Sequence, residues 1–282
     1  MHYKKLLDLQ FFAHEPQERY SSMVLAKLRK TSIFVHLFNR RYEGQPTAGA
    51  VKIPVRDTEV AVDDYDKVAG GELKTGSTTY KTLPIDKDKY VNELVDGYDA
   101  ESVPDNLVAD RLDSAGYSMG IELDSELVNL LAEKGTASDD TVALTKETIY
   151  ASIVNEVTKL KKKGLKPNEL WLAVTNEVYA IILQSPEFVK ASNLGDSVVQ
   201  NGMVGRINGV NVYETNNIPD ELNIEYILGN NVFCHFVDEW MVPVAVNDLK
   251  DGKHIGASAV QGRRVYGDMI SRPETVTVKK KA

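Results

Sequence analysis

The residues of this chain that could do chemistry come in incomplete sets. Gly71-Glu72-Leu73-Lys74-Thr75-Gly76-Ser77-Thr78 has the glycine spacing of a phosphate-binding loop, but Ser77 stands where the phosphate-reaching lysine must precede Ser/Thr. Without that cation, and without a strand-to-helix context, the segment reads as a loop tip. Gly202, Gly205 and Gly209 are spaced GxxGxxxG rather than the GxGxxG of a dinucleotide site, and read as turn glycines. His2, His14, His36, His235 and His254 are scattered, with no HExxH and no CxxC, so no zinc site is expected. No Gly-x-Ser-x-Gly elbow occurs. Asp63, Asp64 and Asp66 could touch a divalent cation, yet they lack the Gly and terminal Glu of a calcium loop and read as a solvated acidic surface. No catalytic group, metal or cofactor is therefore expected.

The single cysteine, Cys234, cannot form an internal disulfide, which fits a reducing cytoplasm. Its apolar run, Val232-Phe233-Cys234, marks it as a small buried side chain rather than a reactive thiol. Trp171 and Trp240 also sit in apolar runs and are expected in the core.

With 282 residues and 43% hydrophobic content the chain can build one large core or two modest ones. No run approaches the roughly 20 apolar residues of a membrane helix. Lys4 and Lys5 precede an apolar stretch, but Asp8 and Gln10 interrupt it and no small-residue cleavage site follows, so an export signal is not expected. Charge is polarised along the chain. Residues 1–50 carry 8 Lys+Arg against 4 Asp+Glu, residues 51–140 carry 9 against 21, and residues 141–282 balance at 16 against 16. Such a chain can bind its own copies head to tail, while its acidic balance argues against sequence-specific DNA binding.

The elements around these residues follow from periodicity. The first 50 residues read as an extended arm with short helical pieces, in which Ile33, Val35 and Leu37 alternate like a strand. Val51, Ile53 and Val55 alternate with Lys52, Pro54 and Arg56, and a second extended piece runs from Thr78 to Ile85, with Pro54 restricting its strand to an edge. The two pieces make a projecting ribbon whose tip holds Asp64, Tyr65, Lys67, Gly70, Gly71 and Lys74. Neither is apolar enough to bury both faces, so the ribbon gains stability by lying on a neighbouring subunit.

Val108, Leu112, Ala115, Met119, Leu123, Leu127 and Leu130 then form one apolar stripe on a long helix. At 1.5 Å per residue, a helix of about 25 residues would be roughly 38 Å long and would span a domain. Gly116 and Gly120, inside it, are expected to admit a close crossing by another backbone. A second helix is expected to be capped by Thr145, to bury Ile149, Ile153, Val157 and Leu160, and to end at Lys161-Lys162-Lys163-Gly164. Leu170–Val174 reads as a buried strand, Thr175 as the cap of a helix holding Val178, Ile181 and Ile182, and Ser185-Pro186-Glu187 as the start of another. Asn208-Gly209, between two apolar pieces, predicts a type I′ hairpin. Strands are expected near Tyr226–Leu228, Val232–Val237 and Met241–Val246, with an extended tail from Val260 to Val278.

Read together and in this order, segments of the chain resemble the major capsid proteins of tailed bacteriophages with the HK97-like fold, more closely the branch related to Salmonella-phage coat proteins. Lys4-Lys5-Leu6-Leu7-Asp8-Leu9-Gln10-Phe11-Phe12-Ala13 resembles the start of many capsid proteins from phages of Gram-positive bacteria. Val51-Lys52-Ile53-Pro54-Val55, Asp64-Tyr65 and Leu83–Tyr90 resemble the extended loop that reaches a neighbour. Gln200–Pro219 resembles the apical hairpin, and Tyr266-Gly267 through Arg272-Pro273-Glu274 the returning strand.

The resemblance implies an α+β fold with an N-terminal arm over 1–50 and an extended loop over 51–97. It also implies a peripheral domain over 98–167 and 251–282, built on the long helix, and an apical domain over 168–250. It implies a structural subunit, not an enzyme, that assembles with itself as hexamers and pentamers into an icosahedral shell around double-stranded DNA. Such a shell is built in the bacterial host cytoplasm, with a portal, DNA held by non-specific contact and no membrane. No separate scaffold segment stands ahead of residue 50, which points to a separate scaffolding protein. Some relatives crosslink a loop lysine to a neighbour's asparagine; Lys67, Lys74 and Lys81 are available, but exposed lysines are ordinary and crosslinking is not expected. The alternatives are an encapsulin-like compartment shell, against which the first 13 residues argue, and a soluble nucleotide-binding enzyme resting on the defective phosphate loop.

Overall fold

The computed structural model describes residues 30–42, 49–55, 62–68, 70–71, 73–75, 78–102, 107–185, 203–250 and 252–281. The readings made for Lys4–Ala13, Gly76-Ser77, Asn201-Gly202 and the helix after Ser185 fall outside these residues. Chain order is α1 (Phe34–Leu37), β1 (Ala50–Val55), β2 (Thr79–Pro84), β3 (Lys87–Val95), α2 (Gly97–Ser102), α3 (Leu107–Lys134) and β4 (Thr136–Ala137). It continues with α4 (Ile149–Lys162), β5 (Leu170–Thr175), α5 (Asn176–Gln184), β6 (Met203–Ile207), β7 (Val210–Thr215), β8 (Ile224–Asn230), β9 (Cys234–Asp248), β10 (Ser258–Ile270) and β11 (Thr277–Lys280).

A six-stranded sheet of order β4-β11-β8-β5-β7-β6 forms the larger core. β5 pairs parallel with β7 and antiparallel with β8. Successive residues of a strand point to opposite faces, and β5 uses both. Leu170, Leu172 and Val174 meet Ile149, Ile153, Val157 and Leu160 of α4. Trp171 and Ala173 meet Phe34, Phe38 and the α3 residues Leu123, Leu127 and Leu131. A strand covered on both sides must read as a continuous apolar run, as Leu170–Val174 does. Gly229 lies against Trp171 so closely that a Cβ there would fall 2.2 Å from the indole.

A second sheet, antiparallel and of order β3-β10-β9, lies beside α3. The ribbon is a separate two-stranded sheet, β1 on β2 in register Ile53↔Lys81. It is fixed to the body through a small cluster of Ile53, Leu83 and Val237.

Several sequence expectations change in the folded chain. Ile33, Val35 and Leu37 are not in a strand: Phe34–Leu37 is a helical turn, because the backbone N–H groups of Ile33 and Phe34 are captured by the Asp124 carboxylate. α4 starts at Ile149 with Thr148 at its cap position, while Thr145 makes the preceding turn, its carbonyl accepting from Ile149 N at 3.0 Å. On α3 the buried stripe ends on Leu127, Val128 and Leu131 rather than on Leu130, since that end packs against Phe34 and the Val276 and Val278 side chains. A Cβ added to Gly116 or Gly120 would meet nothing within 4 Å, so neither is a close crossing inside the subunit.

The two strands expected over 232–246 are one, β9, whose 15 residues stay paired with β10 because irregularities between Gln261/Arg263 and Val265/Tyr266 absorb the mismatch. The domain limits drawn at 167/168 and 250/251 cross this packing. β11 belongs to the six-stranded sheet and α4 packs on it, whereas β9 joins β10 and β3 in the smaller one. β3 likewise leaves the expected loop 51–97 for that sheet. Long-range strand pairing, invisible to local periodicity, decides these memberships.

Candidate assembly interface

The ribbon tip is built around one tight turn. Asp66 accepts from Val68 N through its carboxylate at 2.7 Å and from Gly70 N through its carbonyl at 2.9 Å. Gly70 closes the turn at φ +77°, a value that favours glycine. Gly71 then passes under Tyr65, whose ring would sit 3.7 Å from an added Cβ. Lys74 pairs with Asp63, while Asp64 and Lys67 are exposed. The structure therefore brings Asp64, Tyr65, Lys67, Gly70, Gly71 and Lys74 together on one projecting element. The same tip also carries Val62, Val68 and Leu73, which are exposed almost completely, as Tyr65 is for most of its surface. Sequence reading missed these three because single apolar residues among charges have no period.

A second exposed apolar area lies on the β3-β10-β9 sheet. Tyr90, Leu94, Trp240, Met241 and Val242 are all exposed there. Trp240, expected in the core, is 43% exposed and stacks under the Arg263 guanidinium at 5.4 Å. It opposes Val265 at the outer edge strand, where no described element covers it. Trp171, by contrast, is buried as expected, and so is Cys234, whose thiol is pushed up to about 12 by burial.

The hairpin at Asn208-Gly209 has φ values of +51° and +84°, as a type I′ turn requires. It is held to its own subunit. Lys161 donates to the Asn208 side-chain oxygen at 3.0 Å, and Gly209 rests on Pro167, where a Cβ would come within 3.2 Å.

Beneath these surfaces, α3 is fastened to the small sheet by charge. Lys87 donates to Asp268 at 2.7 Å and to Glu126 at 3.0 Å, and Lys89 bonds Glu126 at 2.9 Å and Glu122 at 2.8 Å. Hydrogen bonding from Lys89, helped by Lys87, holds Glu126 below the ordinary carboxylate range against the effect of burial. Burial opposes the Lys87 charge, but its bonds to Asp268 and Glu126 outweigh it and raise its pKa. At Asp268 the balance goes the other way: burial raises its pKa in spite of Lys87.

The residue that sequence reading missed most completely is Asp124, fully buried in the middle of α3. Its carboxylate accepts from Ser32 Oγ at 2.8 Å, Ile33 N at 2.7 Å, Phe34 N at 3.2 Å and Asn217 Nδ2 at 2.8 Å. The only trace of it in the sequence is an acid next to the apolar stripe.

Among the described residues no group of three or more His, Cys, Asp or Glu side chains could hold a metal, and no helix is long and apolar enough to cross a membrane. Among the described residues, the ribbon carries an apolar tip and one face of the smaller sheet exposes aromatic side chains. The family model described as phage capsid protein matches residues 98–278, and the chain belongs to that family.

Among solved structures, that of Mycobacterium phage Che8 is similar at a TM-score of 0.76 and 23% identity, covering 95% of this chain and 98% of that one. The capsid structure of Cyanophage P-SCSP1u gives 0.75 and 12%, covering 94% and 92%. The capsid of a native GTA particle gives 0.67 and 11%, covering 99% of each. No curated protein matches the chain. The fold is the α+β, HK97-like capsid fold, and the chain is a structural, major capsid protein. These matches favour neither the compartment-shell nor the nucleotide-binding alternative.

Proposed function

We propose that this capsid protein closes an icosahedral shell by laying its ribbon tip, Asp64 to Lys74, on a neighbouring copy, in hexamers and pentamers around packaged double-stranded DNA. The observation that carries this reading is the exposure of Val62, Tyr65, Val68 and Leu73 on one ribbon that, among the described residues, packs on its own subunit through the cluster of Ile53, Leu83 and Val237. Four such side chains at the end of a projection are costly in water, at about 25 cal/mol per Å² of apolar surface, and a partner surface removes that cost. The exposed Tyr90, Leu94, Trp240 and Val242 offer apolar surface of the matching kind.

The Asn208-Gly209 hairpin acts as scaffold of the apical part, the domain limits following the two sheets rather than the sequence boundaries. A separate scaffolding protein, a portal and non-specific contact with DNA complete the set of partners, the protein itself performs no catalysis, and assembly takes place in the host cytoplasm. Negative-stain microscopy of the purified chain, alone and with a co-expressed scaffolding protein, tests the reading. Closed shells or polyheads support it; a monomer under every condition overturns it.

A further inference from the structure

Lys159-Leu160-Lys161-Lys162-Lys163-Gly164-Leu165-Lys166 places five lysines and no acid within eight residues of a chain whose net charge is −8. The fold turns this run into a fixed cluster. α4 closes where Lys163 N bonds the Leu160 carbonyl and Gly164 N the Lys161 carbonyl, both at 3.0 Å. Leu160 and Leu165 are buried, while Lys162, Lys163 and Lys166 are exposed and Lys161 is partly so. Lys161 also ties the Asn208-Gly209 hairpin to this end of the helix. Exposed Arg206, two residues before that turn, therefore stands at the same end of the six-stranded sheet.

The charges of the cluster are kept rather than neutralised. Lys161 donates to the side-chain and main-chain oxygens of Asn208 at 3.0 and 3.4 Å, and Lys163 donates to the Glu274 carbonyl. Arg206 donates to the Asn211 side-chain oxygen at 2.8 Å. All these acceptors are neutral. Lys162 and Lys166 pair with no carboxylate among the described residues. On the adjoining segments, Glu156 is taken by Lys159 and Ser138, and Glu169 accepts from Lys166 N at 3.0 Å. The negative end of a helix favours cations within its last turn. That accounts for Lys161 to Lys163 but not for Lys166 or Arg206, which lie outside α4.

We infer that this cluster is the surface on which the subunit holds the phosphate backbone of duplex DNA, through Lys162, Lys163, Lys166 and Arg206. A dense run of lysines is the footprint of nucleic-acid contact. Lysines are point charges on flexible stems and suit phosphates met in any register, so the contact reads charge and not sequence. A bilayer surface fits less well, because both apolar side chains of the run are buried and none is left to insert. At about 0.1 M salt, charges more than roughly 10 Å away are screened, so the acidic remainder of the chain does not cancel the cluster. This contact rests on the proposed reading of the chain as a shell around double-stranded DNA.

The test is binding of short fluorescent DNA duplexes, of two unrelated sequences, by the unassembled full chain between about 50 and 200 mM salt. Both sequences should bind alike, with an affinity that falls as salt rises. Lys162→Gln with Lys166→Gln should weaken binding about tenfold or more at the lower salt, and should make the slope of log K against log salt shallower by about 2. Lys162→Arg with Lys166→Arg should keep both at the unmodified values. Lys134→Gln with Lys146→Gln removes the same charge at sites paired with Glu133 and Glu147, and should change neither. All four lysines are exposed, so equal urea midpoints separate lost contact from lost folding. Should the Lys162 and Lys166 pair unfold, Lys162→Gln alone decides, with about half the change in slope. No duplex binding by the unmodified chain, an equal loss in the control pair, or binding to anionic vesicles without binding to duplex overturns the inference. Normal shells from a chain that ignores duplex would strike this contact alone, whereas duplex binding by a chain that never forms shells would strike the shell reading alone.

Discussion

Asn217 donates from its side-chain nitrogen to the Asp124 carboxylate at 2.8 Å, joining the exit of the Asn208-Gly209 hairpin to the middle of the long helix. Asn217 also donates to the Thr31 carbonyl at 2.7 Å, so the same pair gathers the segment before α1. Three parts of the chain separated by about ninety residues each are held by one buried anion, which falls between sequence units that look independent.

Replacing Asp124 should therefore cost more than any surface charge. Asp124→Asn keeps the shape but removes charge-assisted bonds worth about 1.5–3 kcal/mol each, and it turns a donor toward other donors. We expect a loss of about 3 kcal/mol or more, read as a lower urea midpoint. Asn217→Ala removes one of the four bonds to the carboxylate and should lose about 1–2 kcal/mol. A midpoint for Asp124→Asn within error of the unmodified chain would refute the buried-anchor role.

The charges between α3 and the small sheet predict an acid response of defined sign. Glu126 has a folded pKa below the ordinary glutamate value of 4.5, so its stabilising effect is present above 4.5 and is lost as pH falls through the folded value. Asp268 has a raised pKa, so its contribution is present below the ordinary aspartate value of 3.8 and is lost as pH rises through the folded value. In Glu126→Gln the stability deficit relative to the unmodified chain should shrink as pH drops below 4.5. Denaturant titrations at pH 7, 5, 4 and 3 measure it, and a deficit that does not change with pH would sink the assignment.

The tip predicts a variant defective in assembly but sound in folding. Leu73→Asp replaces an apolar side chain that touches nothing in its own subunit. Its stability should change by no more than about 0.5 kcal/mol. Shell yield, counted by microscopy and sedimentation, should fall at least tenfold. Shells at the unmodified yield would show that the tip is not an interface.

The hairpin predicts the opposite pattern. Gly209→Ala forces a side chain to φ +84° and toward Pro167, so thermal stability should drop by about 1–2 kcal/mol. Asn208→Gly should be close to neutral, since glycine adopts φ +51° freely. Particles formed by either variant should look unaltered, because the turn packs on its own subunit.

Covalent ladders are not expected on denaturing gels of assembled particles. Lys81 turns inward to the Ser271 carbonyl and Lys74 is paired with Asp63, which leaves Lys67 exposed at the tip. A ladder that disappears in Lys67→Arg would reverse this expectation.

The sequence by itself determined the elements whose causes are local. The periodicity of α3 and α4, the Thr175 cap of α5, the ribbon of β1 and β2 and the Asn208-Gly209 turn all arise from neighbouring residues, and all could be read in advance. The resemblance to tailed-phage capsid proteins was legible in the same way, as an order of segments along the chain.

Only the tertiary structure decided what depends on distant partners. Phe34–Leu37 is helical because Asp124, some ninety residues on, takes its N–H groups. Trp240 is exposed because β9 runs on unbroken past the core to the edge of a sheet, though its apolar surroundings resemble those of buried Trp171. β11 joins one sheet, on which α4 packs, and β3 another because strand pairing and burial are settled between segments, and no local pattern encodes which distant face will arrive.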